Sequence, residues 1–429
     1  MTTTKVVKSS QTITPFAGIS FINDEIFRCG FSSLIDSKLG YRQSTKGFTH
    51  SDIVRAWFNI FLCGGEVAED IQEHLRQTLE NIPGNKVPSA DTLLCELSDL
   101  AADCEEVTSS TGNSYKINVN EKLLELNIEH LQLLNILGKG EYQDLDFDNQ
   151  ILAHEKWDAK KTYKMNTGYF PGIATIGKMI VYLENRDGNA NVKIDQSNLL
   201  ERCYQMLAKY RIFINRSRMD AGSYSKEIID VVSKYSKLFY IRANRSGEMT
   251  KQIRQITDWQ RVEINYKEYE VASIPFKQFF EDRNYRLVVA REISDNQQLD
   301  LFDGKFKYRC ILTNDHESTE VGVIEYYNQR GESESNFDVQ NNDFGWSRLP
   351  TSDMDSNTVF LILTSMLKNF YTYLVKNVAR VFKNILPTTR LKRFIFRFIC
   401  VAGKWTRSGR QNVLKLYTDR PYERLQFAA

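Results

Sequence analysis

The chain has 429 residues, more than one hydrophobic core usually serves, so two or three folded units are expected. Its 42% hydrophobic and 26% charged residues are typical of a water-soluble globular protein. The N-terminus lacks the apolar stretch of a secretory signal, and the apolar runs are too short or too interrupted to span a bilayer. We therefore expect neither a secreted nor a membrane protein, and no membrane partner.

Cysteine and histidine usage narrows the class further. Seven cysteines are scattered along the chain without a C-x-x-C pair, and the five histidines are not paired at metal-ligand spacing. These patterns argue against a disulfide framework and against a structural zinc site. They predict a protein of a reducing compartment, the cytoplasm.

The net charge of +2 conceals a strong asymmetry. No Asp or Glu lies between Asp355 and Asp419, so this stretch, here called the basic segment (residues 356–418), carries only positive charge. Such one-sided charge is typical of a surface that binds a polyanion such as DNA, with a solvated helix face or a membrane-surface helix as the alternative. Its cations are Lys368, Lys376, Arg380, Lys383, Arg390, Lys392, Arg393, Arg397, Lys404, Arg407, Arg410 and Lys415.

The first third of the chain, from Phe21 to about Leu134, has a helical pattern. Thr49 to Asp52 supplies capping residues for an apolar run, which Gly64 and Gly65 end. Two further helices, at 66–79 and from Ser89 onward, are joined by a turn rich in Pro, Gly and Asn. This arrangement fits a DNA-binding helix-turn-helix, and it fits an ordinary helical hairpin equally well.

After Gly140 the pattern changes to alternating strands and helices, which predicts an α/β layer structure. From Gly247 to about Val323, strands follow one another without intervening helices, which indicates a β-rich insertion. A helical pattern returns from Glu325 onward. The predicted strands before the insertion lie at 142–149, 176–183, 210–215 and 238–242, and the predicted helices at 198–209 and 223–235.

One predicted strand carries three carboxylates, Asp144, Asp146 and Asp148. Side chains alternate along a strand, so the three share one face while Leu145 and Phe147 share the other. A divalent cation is the usual way in which such a row of charges becomes favourable, and oxygen-only ligands select Mg²⁺ or Mn²⁺. An acidic strand edge that opposes aggregation is the alternative.

Two further acidic positions follow. Asp220 ends an apolar strand and precedes an Ala-Gly turn and a helix, the place where open α/β sheets bind ligands, although a plain helix N-cap explains it as well. On a continuous helix, Tyr327, Arg330, Glu334 and Asn341 fall within a sector of about 60°. Such a face suits a phosphate and a metal, whereas an exposed helix with an Arg330–Glu334 pair is the alternative.

These segments resemble DDE-type bacterial insertion-sequence transposases, in particular the group numbered thirteen-eighty within the insertion-sequence-four-like superfamily. The glutamate helix of that family carries a Tyr-x2-Arg-x3-Glu-x6-Lys signature, matched here by Tyr327, Arg330 and Glu334, with Asn341 where Lys is usual. The stretch RMDAGSYS resembles the second-Asp motif, and DLDFDNQ the first. The resemblance selects Asp146 as the first ligand, because another Asp often precedes the ligand by two residues. Asp144 and Asp148 stay open.

The resemblance implies an α/β RNase H-like catalytic core with a β-rich insertion, preceded by an all-α N-terminal domain and followed by a basic helical C-terminal region. The corresponding segments are a helical DNA-binding domain (1–137), the first part of the core (138–246), the insertion (247–323), the second part of the core (324–382) and a DNA-contacting tail (383–429). The expected DNA contacts are Tyr327, Arg330 and Asn341 in the second part of the core, and in the tail Lys392, Arg393, Arg397, Lys404, Arg407 and Arg410.

The implied activity is cut-and-paste transposition, that is, cleavage at the inverted-repeat ends of an insertion sequence and transfer of the 3′-OH ends into target DNA. Asp146, Asp220 and Glu334 would hold two Mg²⁺ ions, with Mn²⁺ as a substitute. The expected partners are double-stranded DNA and a second copy of the chain, in a bacterial cytoplasm at the nucleoid. The alternative is an RNase H-like nuclease or a domesticated DNA-binding protein without transposition activity. Trp259 and Trp346 are further candidates for stacking on a displaced base, with core packing as their alternative.

Overall fold

The computed structural model describes residues 4–8, 11–42, 47–277, 279–280, 282–293 and 306–425. The chain divides into two compact units. We call them the helical unit and the sheet unit. The helical unit comprises Met1–Ala101, Val339–Thr351 and Val359–Ala429, and the sheet unit comprises Ala102–Asp338 and Ser352–Thr358.

The described residues form thirteen α-helices, with short 3-10 and π-helical turns between some of them. In chain order the α-helices are α1 (Ile19–Arg28), α2 (Phe31–Leu39), α3 (His50–Leu62), α4 (Arg76–Glu80), α5 (Ala90–Asp99), α6 (Glu121–Leu133), α7 (Gln196–Lys209), α8 (Lys226–Tyr235), α9 (Gly247–Arg254), α10 (Glu320–Asn328), α11 (Glu332–Asp343), α12 (Met354–Ala379) and α13 (Leu391–Phe394).

Sixteen strands are present in the same described part of the chain. They are β1 (Glu105–Thr108), β2 (Ser114–Asn118), β3 (Tyr142–Asn149), β4 (Leu152–Ala153), β5 (Lys160–Lys161), β6 (Thr167–Tyr169), β7 (Gly172–Ile176), β8 (Met179–Arg186), β9 (Phe213–Met219), β10 (Ser236–Arg242), β11 (Gln260–Ile264), β12 (Lys267–Phe276), β13 (Tyr285–Ile293), β14 (Phe306–Thr313), β15 (Gly403–Ser408) and β16 (Gln411–Leu416).

The helical unit is built around apolar helices whose capping signals are present in the sequence. Thr49 and Asp52 form a reciprocal capping box at the start of α3, as the sequence predicts. Helix α12 is the one helix of the described residues that is long and apolar enough to cross a membrane. Its most apolar window is 89% buried, which is typical of the core helix of a globular protein.

The sheet unit is organised by one large mixed sheet with the order β1-β2-β8-β7-β3-β9-β10-β14-β13-β12-β11. At its centre β3, β9 and β10 run parallel, while β7 and β8 continue from β3 as antiparallel neighbours. Because α7 and α8 connect successive central strands, the chain alternates as the sequence predicts. The carboxyl ends of β3 and β9 therefore lie at one edge of the sheet.

The predicted β-rich insertion extends this same sheet rather than forming a separate layer. Strands β11 to β14 form an antiparallel meander, and β14 pairs with β10. Helix α10 packs on this part of the sheet through Val323 and Ile324, which join a buried cluster with Val288 and Ile311. This packing positions the end of α10, and with it the start of the segment that follows Asn328.

Three predictions about secondary structure are wrong. Residues 1–137 are not all helical, because β1 and β2 form a hairpin that pairs with β8. The segment 247–323 begins with helix α9, which Ser246 caps. The region 383–429 is not only helical, because β15 and β16 form a hairpin in which the two residues Gly409 and Arg410 make the turn. Each missed element is short, and short polar stretches carry little periodicity.

Candidate active site

The candidate site lies where β3 and β9 end. Leu145 and Phe147 are fully buried on one face of β3, so Asp144, Asp146 and Asp148 point to the other face, as alternation predicts. The parallel register pairs Asp146 with Arg218 and Phe147 with Met219. The next residues along the two strands, Asp148 and Asp220, therefore stand at the same level, on strands about 4.8 Å apart.

Asp146 is engaged in a buried ion pair. Nε and Nη2 of Arg218 donate to its two carboxylate oxygens at 2.6 and 2.7 Å. The Asp146 side chain is 9% exposed and the Arg218 side chain is 10% exposed, so water screens the pair weakly. Nη1 of Arg218 donates to the Tyr326 carbonyl at 2.7 Å, and its guanidinium lies 4.5 Å from the centre of the Tyr326 ring. Both oxygens of Asp146 are thus already used within the protein.

Asp144 has a similar but more exposed partner. Arg216 approaches its two oxygens at 3.1 and 2.8 Å, and both side chains are about one-third exposed. The Arg216 guanidinium lies 4.2 Å from the centre of the Tyr326 ring. Tyr326 is therefore held between two arginines, and burial followed by the charge of Asp144 raises the pKa of its hydroxyl. Tyr326 was not predicted from the sequence, because its role depends on contacts between distant segments.

Asp148 faces a different cation, Arg330. Nη2 of Arg330 lies 2.6 Å from Asp148 Oδ2, and both side chains are 14% exposed. Burial lowers the pKa of the Arg330 guanidinium, while nearby carboxylates, that of Asp148 first, raise it by more. The charges of Asp220 and Asp146 act on Arg330 in the same direction. One guanidinium thus balances carboxylates that end two neighbouring strands.

Asp220 is half-buried and caps a short 3-10 helix, Ala221–Ser223, with its Oδ1 accepting from the Gly222 amide at 3.0 Å. The N-cap alternative is therefore part of its role. Gly222 packs closely here, since a Cβ atom would lie 2.9 Å from Val192 Cγ1 and 3.1 Å from Asp220 Oδ1. A larger residue at position 222 would require these two side chains to shift.

The predicted continuous helix through Tyr327, Arg330 and Glu334 is interrupted. Helix α10 ends at Asn328, a 3-10 turn spans Gln329–Gly331, and α11 begins at Glu332. Because a 3-10 turn advances about 120° per residue rather than about 100°, the chain does not continue as one α-helix from Tyr327 to Asn341. The prediction of one continuous helix is therefore wrong.

Tyr327 and Arg330 nevertheless lie at the same site. The Tyr327 hydroxyl donates to the carbonyl of Met219, the residue before Asp220, at 3.3 Å. Burial, with the charges of Asp220 and Asp148, raises the pKa of Tyr327 to about 12, although Arg330 and Arg242 oppose the shift. Tyr327 stays protonated near neutral pH and acts as a hydrogen-bond donor.

Glu334 belongs to helix α11, but its side chain lies outside the described part of the structure. Asn341 lies on the same helix, and the division into compact units assigns it to the helical unit. Among the side chains that are described, no group of three His, Cys, Asp or Glu stands close enough to hold a metal ion. Of the residues predicted from the sequence, those that the structure brings together are Asp146, Asp148, Asp220, Tyr327 and Arg330.

The predicted DNA contacts of the tail lie in the helical unit, on two elements. Lys392 and Arg393 are exposed on α13. Arg397 follows in a π-helical turn and donates to the Asn384 carbonyl. Lys404, Arg407 and Arg410 lie on the β15–β16 hairpin, with the last two exposed near its turn. These cations are therefore presented by a short helix and a hairpin rather than by one helix.

The two tryptophans that the sequence offered for base stacking are both engaged in packing. Trp346 is fully buried, and its Nε1 donates to Thr364 Oγ1 at 2.9 Å. Trp259 donates to the Ile256 carbonyl, and the Arg291 guanidinium covers its ring at 3.9 Å. The packing alternative is confirmed for Trp346. A third tryptophan, Trp157, was not predicted as a candidate from the sequence, although it is 90% exposed.

Comparison with known proteins identifies the family. The model of the family described as Transposase DDE domain group 1 matches residues 13–429, nearly the whole chain. The chain belongs to this family. It is an enzyme that acts on DNA in transposition, with the acidic motif for which DDE transposases are named. No curated protein matches the sequence.

Two solved transposase structures are distantly similar. The piggyBac transposase synaptic complex with hairpin DNA is 14% identical, and the match covers 90% of this chain and 79% of that one, with a TM-score of 0.44. The Drosophila P element transposase strand transfer complex is 15% identical, with 50% of this chain and 42% of that one covered and a TM-score of 0.23. At these TM-scores, neither structure defines the fold of this DDE transposase.

DDE transposases use divalent metal ions, and the contacts at this site fit such a cation. The candidate ligands provide only oxygen atoms, the donor set that Mg²⁺ and Mn²⁺ prefer. Asp148 pairs with Arg330, and the charges of Asp220 and Asp146 act on the same guanidinium. Because Arg330 and Arg218 already neutralise Asp148 and Asp146, it is the oxygen donors of this edge, rather than an excess of negative charge, that fit a divalent cation.

Proposed function

We propose that this chain is a cut-and-paste transposase of the insertion-sequence group numbered thirteen-eighty. It would cleave DNA at the inverted-repeat ends of its element and transfer the 3′-OH ends into target DNA. The single observation that supports the chemistry best is the convergence of Asp148, Asp220 and Arg330 at the carboxyl ends of two parallel strands. We interpret β8-β7-β3-β9-β10 as the RNase H-like core and β11–β14 as its insertion.

The first metal ligand is best assigned to Asp148. The sequence favoured Asp146, but both oxygens of Asp146 are held by Arg218 in a buried pair. Asp148 stands level with Asp220, and its partner Arg330 belongs to the motif of the glutamate helix. Asp148, Asp220 and Glu334 are then the proposed ligand set. Bound Mg²⁺, or Mn²⁺ in its place, would lower the pKa of the attacking water or 3′-OH and stabilise the leaving oxygen.

Arg330 is proposed to position a DNA phosphate. Its Nε is buried and has no hydrogen-bond partner among the described residues, so a donor is left unsatisfied at the site. A phosphate oxygen that accepts from Nε would satisfy that donor through a charge-assisted hydrogen bond, while Nη2 stays paired with Asp148. Tyr327 would support this arrangement by donating its hydroxyl proton to the Met219 carbonyl, next to Asp220. These contacts orient the scissile phosphate toward the carboxylates.

Double-stranded DNA, both terminal repeat and target, is the proposed partner, and the basic segment is proposed to bind its backbone. Two element ends must be joined, so a homodimer on DNA is part of the proposal. All seven cysteines are free, which suits the reducing bacterial cytoplasm in which the nucleoid lies.

Asp220→Asn tests the proposal against a nuclease-inactive, binding-only protein. The substrate is a labelled duplex carrying the terminal repeat that flanks the coding sequence. We expect Asp220→Asn to lose cleavage by more than about 10³-fold while binding the duplex within about twofold of the wild type. Asp258→Asn, an exposed carboxylate elsewhere in the sheet unit, is the matched control and should cleave normally. Normal cleavage by Asp220→Asn would refute the site.

A further inference from the structure

A loop between β4 and β6 presents large apolar side chains almost wholly to solvent. We call residues 154–166 the Trp157 loop. In it Trp157 is 90% exposed, Met165 75% and Tyr163 69%. Single exposed apolar side chains are common, but three such side chains within nine residues of one loop are typical of an interaction site.

The loop is anchored by its backbone and by one aspartate. Asp158 Oδ1 accepts from the Tyr169 hydroxyl at 2.5 Å, and Oδ2 accepts from the Met354 amide at 2.8 Å. The Trp157 amide donates to the Ser352 carbonyl at 3.0 Å. The backbone that carries the indole is thus hydrogen-bonded into the sheet unit, so binding would order the Trp157 side chain but would not have to order the loop backbone.

The charge of the loop favours a polyanion. Lys160, Lys161 and Lys164 are exposed, and Lys164 Nζ lies 6.0 Å from the centre of the Tyr163 ring. The carboxylate of Asp158 is engaged inside the unit, which leaves Glu155 as the exposed acid of the loop. Cations interleaved with aromatic rings are the combination by which proteins hold unpaired nucleic acid.

The topology places the loop beside the proposed catalytic carboxylates. Strand β4 begins three residues after Asn149, the last residue of β3, so the loop follows directly from the carboxyl end that carries Asp148. Strand β6 then leads into β7, where Ile173 pairs with Asp148. Both ends of the loop are therefore tied to the edge of the sheet at which Asp148 and Asp220 lie.

We propose that the Trp157 loop binds DNA next to the cleavage site, with the Trp157 indole stacked on an unpaired base and the three lysines on the flanking phosphates. The proposal rests on the proposed function, which would bring a DNA end to this edge of the sheet. Stacking accepts any base, since every base offers a π-face, so the contact would position the strand without reading its sequence.

The test compares binding of two fluorescein-labelled probes to the full chain by anisotropy, an oligothymidylate of about 30 nucleotides and a duplex of the same length. Trp157→Ala should weaken binding of the oligothymidylate by about 5- to 150-fold, the loss of one stacked base, and binding of the duplex by less than about twofold. Trp157→Phe should retain most of the single-strand affinity. Tyr266→Ala removes an equally exposed aromatic from the β11–β12 turn and should change neither affinity.

Three results would overturn the inference. These are unchanged oligothymidylate binding by Trp157→Ala, an equal loss on both probes, and a change in oligomeric mass, which would make the loop a protein contact. Thermal melting confirms that each variant is folded. Failure of the proposed function is read separately, from wild-type cleavage of the terminal-repeat duplex. A wild type that cleaves while Trp157→Ala binds normally rejects only the inference.

Discussion

Replacing Asp146 separates a structural carboxylate from a metal ligand. Asp146→Leu leaves the Arg218 guanidinium, 10% exposed, without the carboxylate that accepts two of its hydrogen bonds. Removing one partner of a buried ion pair costs about 3–5 kcal/mol. At about 2–4 °C per kcal/mol, Tm should fall by about 6–20 °C. Asp148→Asn should lower the free energy of unfolding by less, about 1–3 kcal/mol, because the charges of Asp220 and Asp146 still stabilise the Arg330 guanidinium.

The double variant Asp146→Leu/Arg218→Met decides between the two roles. Replacing both members of a buried ion pair by apolar side chains is often neutral or stabilising, so we expect most of the lost stability to return. Urea unfolding measures the stability, and cleavage of the terminal-repeat duplex measures activity. If Asp146 only supports the sheet, the double variant also regains cleavage, whereas Asp148→Asn stays inactive. A stable double variant that does not cleave would show that Asp146 is a ligand and that our assignment to Asp148 is wrong.

Three further predictions concern Arg330, two cations of the basic segment, and Glu184. Arg330→Lys keeps the charge but loses the planar fork, so cleavage should fall about 10²- to 10³-fold with duplex binding retained; unchanged single-turnover rates would contradict the phosphate role. Lys392→Gln and Arg393→Gln each remove an exposed cation, so each should reduce the slope of log Kobs against log salt by about 1, and an unaltered slope would exclude that residue as a phosphate contact. Burial raises the pKa of Glu184 to about 7 from an ordinary 4.5, against the opposing charge of Arg202. The native state therefore keeps a proton that the unfolded chain releases, and this contribution to stability is full below about pH 4.5 and is lost as pH rises through about 7. Glu184→Gln should flatten the decline in unfolding free energy between pH 5 and 8, and a slope identical to that of the wild type would refute the assignment.

Local signals in the sequence were sufficient for elements defined by neighbouring residues. The capping box of Thr49 and Asp52 placed the start of α3 correctly. Alternation along residues 144–148 correctly put three carboxylates on one face. The prediction of a continuous helix through Arg330 was wrong because a 3-10 turn spans residues 329–331. Such a turn changes the rotation per residue only slightly, and the spacing of polar residues in the sequence does not reveal so small a change.

The choice among the three aspartates was beyond the sequence for a different reason. Which carboxylate is neutralised by Arg218 and which by Arg330 depends on the register of β3 against β9 and on the packing of α10. Neither is a local property. Trp157 was not predicted for the same reason, since its loop is anchored by the hydrogen bond of Asp158 to Met354, a residue far along the chain, and by its hydrogen bond to Tyr169.

The most direct test of the central claim is a cleavage and joining assay with the wild-type chain. A duplex ending in the element's terminal repeat, labelled beyond the repeat, is incubated with a target plasmid in Mg²⁺, in Mn²⁺ or in EDTA. The account predicts nicking at the repeat boundary in both metals, a free 3′-OH that becomes joined to the plasmid, and no product in EDTA. Tight binding of the duplex without cleavage in any divalent metal would contradict it. Cleavage without joining would favour the nuclease alternative.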